Sequence, residues 1–272
     1  MKSIISRKLN GKFKPVILMH SNELPESYIQ PSPSQRGCIM TYFTQVAVHR
    51  KTAVFDRNTC CCTGAKAGLG FGNGYYDSLP GGVDTFSAFF SKGLESAKNE
   101  QQYKGLTEKM NQHDRQKFLE GERFFTSRER ARKWITEELP VYNFKEKYAI
   151  LKPLENLSEN EVAKSVIFIV NPLELTALMT LAGSIRDGIN ITITPQSSAC
   201  QMIGAQVFRQ AELKDPSAVL GFIDLAARIF TRKLIPDEYL TYAVPWKLYL
   251  NMEQEAEEGI FESPIWKNLQ SL

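Results

Sequence analysis

The segment from Ser165 to Ile223 constrains the fold of this 272-residue chain more than any other. Ser165 to Val170 is a continuous run of β-branched and aromatic residues, which is typical of a strand buried on both faces. Further strands are predicted at Ile189–Thr194 and Ala218–Ile223, with a helix beginning near Cys200. This alternation of strand and helix predicts a βαβ unit within a sheet.

Local signals mark the helix after the first of these strands. Asn171 can cap it, Pro172 suits its first turn, and Gly188 suits its end. Towards the C-terminus, Tyr239–Val244 is predicted as a strand and Trp246–Glu258 as a helix.

The first half of the chain is less regular, but it contains the same kinds of element. Five are predicted: strands at Pro15–Met19 and Thr52–Phe55, and helices at Cys38–His49, Val83–Phe90 and Ser127–Leu139, the last with Thr126 as its N-cap and Glu129 closing a capping box. Together these elements predict a mixed β-sheet flanked by helices, of the α+β or α/β class, in one domain spanning residues 1–272.

A short internal repeat suggests that this domain consists of two related halves. Cys38-Ile39-Met40 followed by Gln45-Val46 resembles Cys200-Gln201-Met202 followed by Gln206-Val207. Each segment is a predicted helix leading to an apolar strand that ends near an acid, Asp56 or Asp224. A duplication would place Cys38 and Cys200 in equivalent positions facing one site.

Composition excludes several classes of protein. The net charge of +3 is too balanced for a dedicated nucleic-acid binder, and no apolar stretch approaches the length of a membrane span. No secretory signal is recognisable, so we expect a cytoplasmic protein in which the five cysteines are reduced. The polar loop from Ser21 to Gly37 is a candidate flexible cover or a contact between subunits of a homo-oligomer.

The most chemically loaded stretch runs from Cys60 to Gly74. Its alternating glycines could let backbone N–H groups bind an anion or another small molecule, with Lys66 adding a positive charge. The candidate binding residues are Asp56, Arg57, Gly64, Lys66, Gly68 and Gly70. No standard phosphate-loop motif is present, and a tightly bent loop without a ligand explains the glycines equally well.

The cysteines offer a second interpretation, because thiolates bind soft metals and iron–sulfur clusters. The candidate ligands are Cys38, Cys60, Cys61, Cys62 and Cys200. Against this interpretation, the sequence contains no C-x-x-C motif, and side chains of adjacent cysteines diverge. Small buried cysteines without a ligand are the alternative.

A nucleophilic cysteine is the third interpretation, and it leaves open whether the protein is an enzyme. Cys62 could be activated by Arg57 or Lys66, although no histidine is near it in the sequence. Asp56 and Asp224 follow predicted strands, where ligands often bind in open α/β sheets. Whatever the chemistry, we expect Cys62 and Cys200 to lie close together, since small residues follow both of them.

Short motifs along the chain resemble a known family of prokaryotic proteins. They are Thr52-Ala53-Val54-Phe55, Cys62-Thr63-Gly64-Ala65 with Leu69-Gly70-Phe71, Val170-Asn171-Pro172, Cys200 at the head of a helix, and Asp237-Glu238 leading to Ala243-Val244-Pro245. In this order they resemble domain of unknown function family 169, the ArCR family, over about residues 10 to 255.

The resemblance implies no activity, because none is established for the family. It implies that Cys38, Cys62 and Cys200 match cysteine positions common among members, and that Cys60 and Cys61 are additional. Members often have a glycine pair after the loop cysteine, whereas here Ala65 follows Gly64.

Overall fold

The computed structural model describes residues 1–32, 38–60, 62–94, 112–222 and 224–270. It divides the chain into two compact units. The sheet unit comprises residues 1–72 and 142–272, and the aromatic unit comprises residues 73–141. The predicted organisation as one domain stays a prediction.

Within the described residues, seven strands of the sheet unit form one mixed sheet. They are β1 (Val16–Ser21), β2 (Ala53–Phe55), β3 (Tyr148–Pro153), β4 (Ser165–Val170), β5 (Thr192–Ile193), β6 (Ala218–Gly221) and β7 (Leu240–Pro245). Their spatial order is β2-β3-β1-β4-β7-β6-β5. The β5–β6 pair is parallel, and the other neighbours are antiparallel. The predicted mixed sheet of the α+β class is confirmed.

The helices are, in chain order, α1 (Ile4–Leu9), α2 (Met40–His49), α3 (Thr63–Gly68), α4 (Gly82–Phe89), α5 (Gln112–Glu120), α6 (Arg128–Lys133), α7 (Pro172–Ser184), α8 (Ala199–Met202), α9 (Ala205–Ala211), α10 (Leu225–Thr231), α11 (Trp246–Glu255) and α12 (Pro264–Gln270). Helices α2, α3, α8, α9 and α10 cover one face of the sheet, which we call the cysteine face because its core contains Cys60 and Cys200. Helices α1, α7, α11 and α12 cover the opposite face. Central strand β4 is therefore buried along its whole length, as its unbroken apolar run predicts.

The sheet repeats one topology twice. The order β1-β3-β2 of the first half recurs as β4-β7-β6 in the second, with the same registers: Val16 pairs with Pro153 as Ser165 pairs with Pro245. Likewise Ala53 pairs with Leu151 as Val219 pairs with Ala243. Strands β1 and β4 lie antiparallel at the centre, where Ile17 pairs with Val166. A pseudo-twofold axis therefore crosses the sheet at this pair, and the two related halves that the cysteine repeat predicts are present.

Several predicted elements have different limits. Helix α7 has the predicted capping box between Asn171 and Glu174 but ends at Ser184, so Gly188 lies beyond it. The predicted strand at Ile189–Thr194 shrinks to β5, since the side chain of Ile189 is 92% exposed. Strand β6 ends at Gly221, and Ile223 lies outside the described residues.

The predicted βαβ unit is present as β5–α8–α9–β6, because β5 and β6 are parallel neighbours joined through two helices. The preceding segment β4–α7–β5 does not form a second one. Strands β4 and β5 are separated by β7 and β6, because β7 pairs with both β4 and β6. Strand β3 and helix α1, which the sequence analysis does not predict, complete the unit on the other side of the axis.

The aromatic unit contains α4, α5 and α6, and its core consists of aromatic rings in tilted and edge-to-face contacts. Trp134 lies within 6.0 Å, between ring centroids, of Tyr75, Phe90 and Phe125. Helix α6 begins after Ser127, whose side chain accepts a hydrogen bond from Arg130 N. The predicted N-cap Thr126 is thus wrong by one residue, because Ser127 has the extended backbone that an N-cap requires.

Candidate functional site

The four described cysteines lie on the cysteine face of the sheet. Cys60 and Cys200 are buried in its core, and Cys38 and Cys62 pack partly buried against that core. No disulfide joins any two of these four cysteines, and Cys61 lies outside the described residues. Side chains far apart in the sequence are therefore brought to one face of one sheet.

Three of these cysteines stand where helices begin. Cys62 is the N-cap of α3, and Cys38 directly precedes Ile39, the N-cap of α2. Cys200 is the second residue of α8, which starts with a capping box between Ser198 and Gln201. In the two halves, α2 and the α8–α9 segment each precede the equivalent strands β2 and β6. Cys38 and Cys200 therefore both lie at the start of the helical segment that precedes the equivalent strand.

Glycines bring the backbones of the cysteine segments into contact. A Cβ atom on Gly68, at the end of α3, would lie 2.6 Å from the carbonyl oxygen of Cys200. A Cβ atom on Gly204, between α8 and α9, would lie 2.0 Å from the carbonyl oxygen of Gly68. Real Cβ atoms do not approach so closely, so only glycine fits at either position. The predicted approach of the Cys62 segment to Cys200 is thus present, although it is made by Gly68 and Gly204.

Burial and neighbouring charges act together on Cys200. Burial raises the pKa of its thiol well above the usual value, and negative charge on Cys62, Cys38, Asp224 and Cys60, in decreasing order, would raise it further. The carboxylate of Asp224 accepts a hydrogen bond from Ala199 N, next to Cys200, at 3.2 Å. We call Cys200 and the four acidic groups whose charges act on its pKa the thiol cluster: Cys38, Cys60, Cys62, Cys200 and Asp224.

In the arrangement described, the cluster is not a site for one metal ion. No three histidine, cysteine, aspartate or glutamate side chains of the described residues are grouped so that they could hold an ion. Thiolate sulfurs around a single zinc ion each lie about 2.3 Å from it, so they cannot be more than about 4.6 Å apart. A single-ion site would therefore require the thiols to turn towards one another.

Two of the predicted binding residues have structural partners instead. The carboxylate of Asp56 accepts hydrogen bonds from Asn58 N and Thr59 N, both at 2.7 Å, and from the side chain of Gln30 at 3.2 Å. The guanidinium of Arg57 donates to the carbonyl oxygens of Phe71 and Phe144 at 3.1 and 2.5 Å. Asp56 therefore stabilises a turn, and Arg57 fixes the chain near Gly70.

The glycine-rich stretch is partly helical, which the sequence analysis does not predict. Gly64, Lys66 and Gly68 lie in α3, where small residues allow the close contact with α8. Beyond α3, Gly70 and Gly72 have φ angles of +82° and +90°, which only glycine adopts easily.

The backbone N–H groups at this bend already have acceptors. Those of residues 69–72 donate, in order, to the carbonyl oxygens of Ala65, Ala67, Lys66 and Tyr142. An anion at these four positions would have to displace hydrogen bonds that hold the bend together. The glycines are thus explained by backbone geometry.

Sequence reasoning missed His20, which lies on β1 beside this bend. Its Nε2 is 2.7 Å from the carbonyl oxygen of Leu69, and its ring packs on Phe144 and Phe208 with centroids 4.4 and 5.7 Å away. Its buried Nδ1 has no hydrogen-bond partner in the part of the chain that the structure describes. Burial lowers the pKa of the imidazole, and the nearby Lys164 lowers it further. The only sequence signal was a histidine at the end of an apolar strand.

Among the described helices, none is both long enough and apolar enough to cross a membrane. No curated protein and no solved structure matches the chain. The model of an uncharacterised family matches residues 4–255, which is nearly the whole chain. The protein therefore belongs to domain of unknown function family 169, the uncharacterised ArCR family.

Proposed function

We propose that this protein binds an iron–sulfur cluster through Cys38, Cys62 and Cys200. The observation that carries the proposal is the convergence of these thiols on one face of the sheet, from segments up to 162 residues apart. The buried core on both faces of the sheet needs no metal to hold it together. A thiol cluster in such a chain is therefore better explained by function than by stability.

The electrostatics of the cluster favour a cationic ligand. The pKa of Cys200 is raised by burial and by the charges of its neighbours, so its thiolate is costly unless positive charge is added. Iron bound by these sulfurs would supply that charge and would keep the thiols deprotonated.

An iron–sulfur cluster fits these thiols better than a single soft metal ion does. One ion requires all its sulfurs within bonding distance of one point, and no described group of three is arranged in that way. An iron–sulfur cluster spreads its thiolate ligands over several irons, so it accepts sulfurs that lie further apart. A reducing cytoplasm, the location that the sequence predicts, would preserve such a cluster.

The alternative function, an anion- or small-molecule-binding module at Gly64–Gly74, has weaker support. The backbone donors at the bend already have acceptors, and Arg57 is occupied by two carbonyl groups.

Anaerobic purification followed by iron and sulfide analysis and a visible spectrum tests the proposal. We expect a brown protein containing iron and acid-labile sulfide, and colourless protein from the Cys38→Ser, Cys62→Ser and Cys200→Ser variants. Met202→Leu is the matched control for Cys200→Ser, because it changes another buried residue of α8 without removing a thiol. Wild-type protein that lacks iron and sulfide, and cannot be loaded with them by reconstitution, would overturn the proposal. If the protein binds only zinc, its ligand is a single metal ion and not an iron–sulfur cluster.

A further inference from the structure

A cavity of about 620 Å³ lies beside α1, the helix that helps to cover the face of the sheet opposite the cysteine face. Helix α1 lines it with Ile4, Ser6 and Arg7. The segment before β1 adds Pro15, and the turn after β3 adds Leu154. A volume of this size is within the usual range of small-molecule sites in proteins.

Positive side chains predominate around this cavity, which we call the basic cavity. Among the described residues that line it, Lys2, Arg7 and Lys14 are cationic and Glu155 is acidic. Glu155 forms an ion pair with Arg50, so its charge is already compensated. The basic cavity therefore has an excess of positive charge and would attract an anion.

Polar groups of the basic cavity are available for a ligand. Within the described part of the chain, the side chains of Lys2 and Lys14 form no ion pair or hydrogen bond, and neither does the hydroxyl of Ser6. Arg7, by contrast, pairs with Glu257 at 3.0 Å. Two ammonium groups and one hydroxyl can all donate, so they suit a group with several acceptor oxygens, such as a phosphate.

A second cavity, of about 630 Å³, shows that this excess of positive charge is local. It shares Lys2 and Glu155 with the basic cavity, but its other charged lining residues are Glu159 and Glu161. Two cavities of similar size thus carry opposite charge, and an anion would be directed to the one that Lys14 lines.

We propose that the basic cavity binds a small organic phosphate. Its phosphate group contacts Lys2 and Lys14, and its apolar part contacts the apolar side chains of Ile4, Pro15 and Leu154. The proposal does not rest on the iron–sulfur cluster, because α1 and the cysteines pack on opposite faces of the sheet.

Isothermal titration calorimetry of the full chain with phenyl phosphate tests the proposal, with inorganic phosphate and benzoate as comparison probes. We expect wild type to bind phenyl phosphate most tightly, because this probe combines a phosphate with an apolar ring. The double variant Lys2→Ala/Lys14→Ala should raise its Kd about tenfold, since hydrogen bonds to charged groups are among the stronger ones. The double variant Lys233→Ala/Lys247→Ala is the matched control, because it removes two exposed lysines that do not line the cavity.

Ser6→Phe tests the cavity separately from its charge. It keeps both lysines but fills part of the space beside α1, so it should abolish the binding of phenyl phosphate. Circular dichroism and the thermal midpoint check that each variant folds.

Wild type that does not bind phenyl phosphate in the millimolar range would overturn the proposal. Equal affinity of wild type and the Lys2→Ala/Lys14→Ala variant would overturn it as well. Equal affinity for inorganic and phenyl phosphate would overturn the role of the apolar walls, and tighter binding of benzoate would overturn the choice of phosphate over carboxylate. Each of these results leaves the proposed iron–sulfur cluster untouched.

Discussion

The two halves of the sheet unit share a scaffold but differ in the residues placed on it. Strands β1, β3 and β2 superpose in topology and register on β4, β7 and β6. Yet the first half carries Cys62, His20 and a long turn, where the second carries Asp224, Ile169 and a short one. The register keeps the backbone positions equivalent, so side chains can diverge without loss of the fold. The thiol cluster lies where the two halves meet, and neither half could form it alone.

The contact between α3 and α8 is the closest backbone approach at that junction. We therefore expect its disruption to have the largest effect on the free energy of unfolding. Gly204→Val would place a side chain against the backbone of Gly68, where even a Cβ would lie 2.0 Å from an oxygen. We expect the free energy of unfolding to fall by more than about 3 kcal/mol, as for severe overpacking. Urea denaturation measures it.

Gly183→Ala is the control for that variant. Its Cβ would meet Ile191 at an ordinary 3.5 Å, and its position in α7 favours alanine over glycine, so stability should be unchanged or higher. A Gly204→Val protein as stable as wild type would mean that the two segments can separate, and the shared thiol cluster would lose its geometric basis.

His20 on β1 and Ile169 on β4 are equivalent by register, but only His20 can titrate. Burial lowers the pKa of His20 in the folded protein below the usual 6.5, with Lys164 lowering it and Glu146 opposing. The unfolded chain therefore takes up a proton that the folded chain does not. The contribution of His20 is fully present above pH 6.5 and is lost as the pH falls below it, by at most about 1.4 kcal/mol per pH unit.

His20→Leu places an aliphatic residue at this position, as the second half does with Ile169. We expect this variant to lose less folding stability than wild type as the pH falls. Urea denaturation of both proteins between pH 7.5 and 5, chosen to span the usual histidine pKa of about 6.5, measures the difference in slope. His49→Leu is the control, since His49 is at the exposed end of α2. Identical slopes for wild type and His20→Leu would show that Nδ1 gains a partner on protonation.

How far the sequence predicts this structure depends on whether the cause is local. The run of β4 and the capping box of Asn171 with Glu174 depend on neighbouring residues, and both are predicted correctly. The sequence predicts a loop where α3 forms, because the glycines of α3 are needed by a contact with Gly204, 136 residues beyond Gly68. The environment of His20 depends on Phe144 and Phe208, which no local pattern connects to it. Among these sequence signals, the cysteine repeat alone relates residues that are far apart in the chain.

We expect the smallest effect on stability at the residues that directly follow the equivalent strands β4 and β1. Asn171 follows β4 and Asn22 follows β1 at the equivalent position, but only Asn171 begins a helix. The side chain of Asn171 accepts from Glu174 N at 2.9 Å, while Glu174 accepts from Asn171 N at 2.9 Å. Asn22 accepts one exposed hydrogen bond from Lys147 N at 3.2 Å.

Asn171→Ala should therefore lower the free energy of unfolding by about 1 kcal/mol, the usual value of an N-cap. Asn22→Ala, the matched variant in the other half, should cost less than about 0.5 kcal/mol, because water can replace an exposed hydrogen bond. Urea denaturation of both variants at pH 7.5 resolves this difference. Equal losses in the two variants would mean that the cap contributes nothing beyond a surface hydrogen bond, and that α7 is held by its packing on Leu178 and Leu181 alone. A larger loss for Asn171→Ala would locate the stability difference between the halves in α7, which directly follows β4 and has no counterpart among the described residues directly after β1.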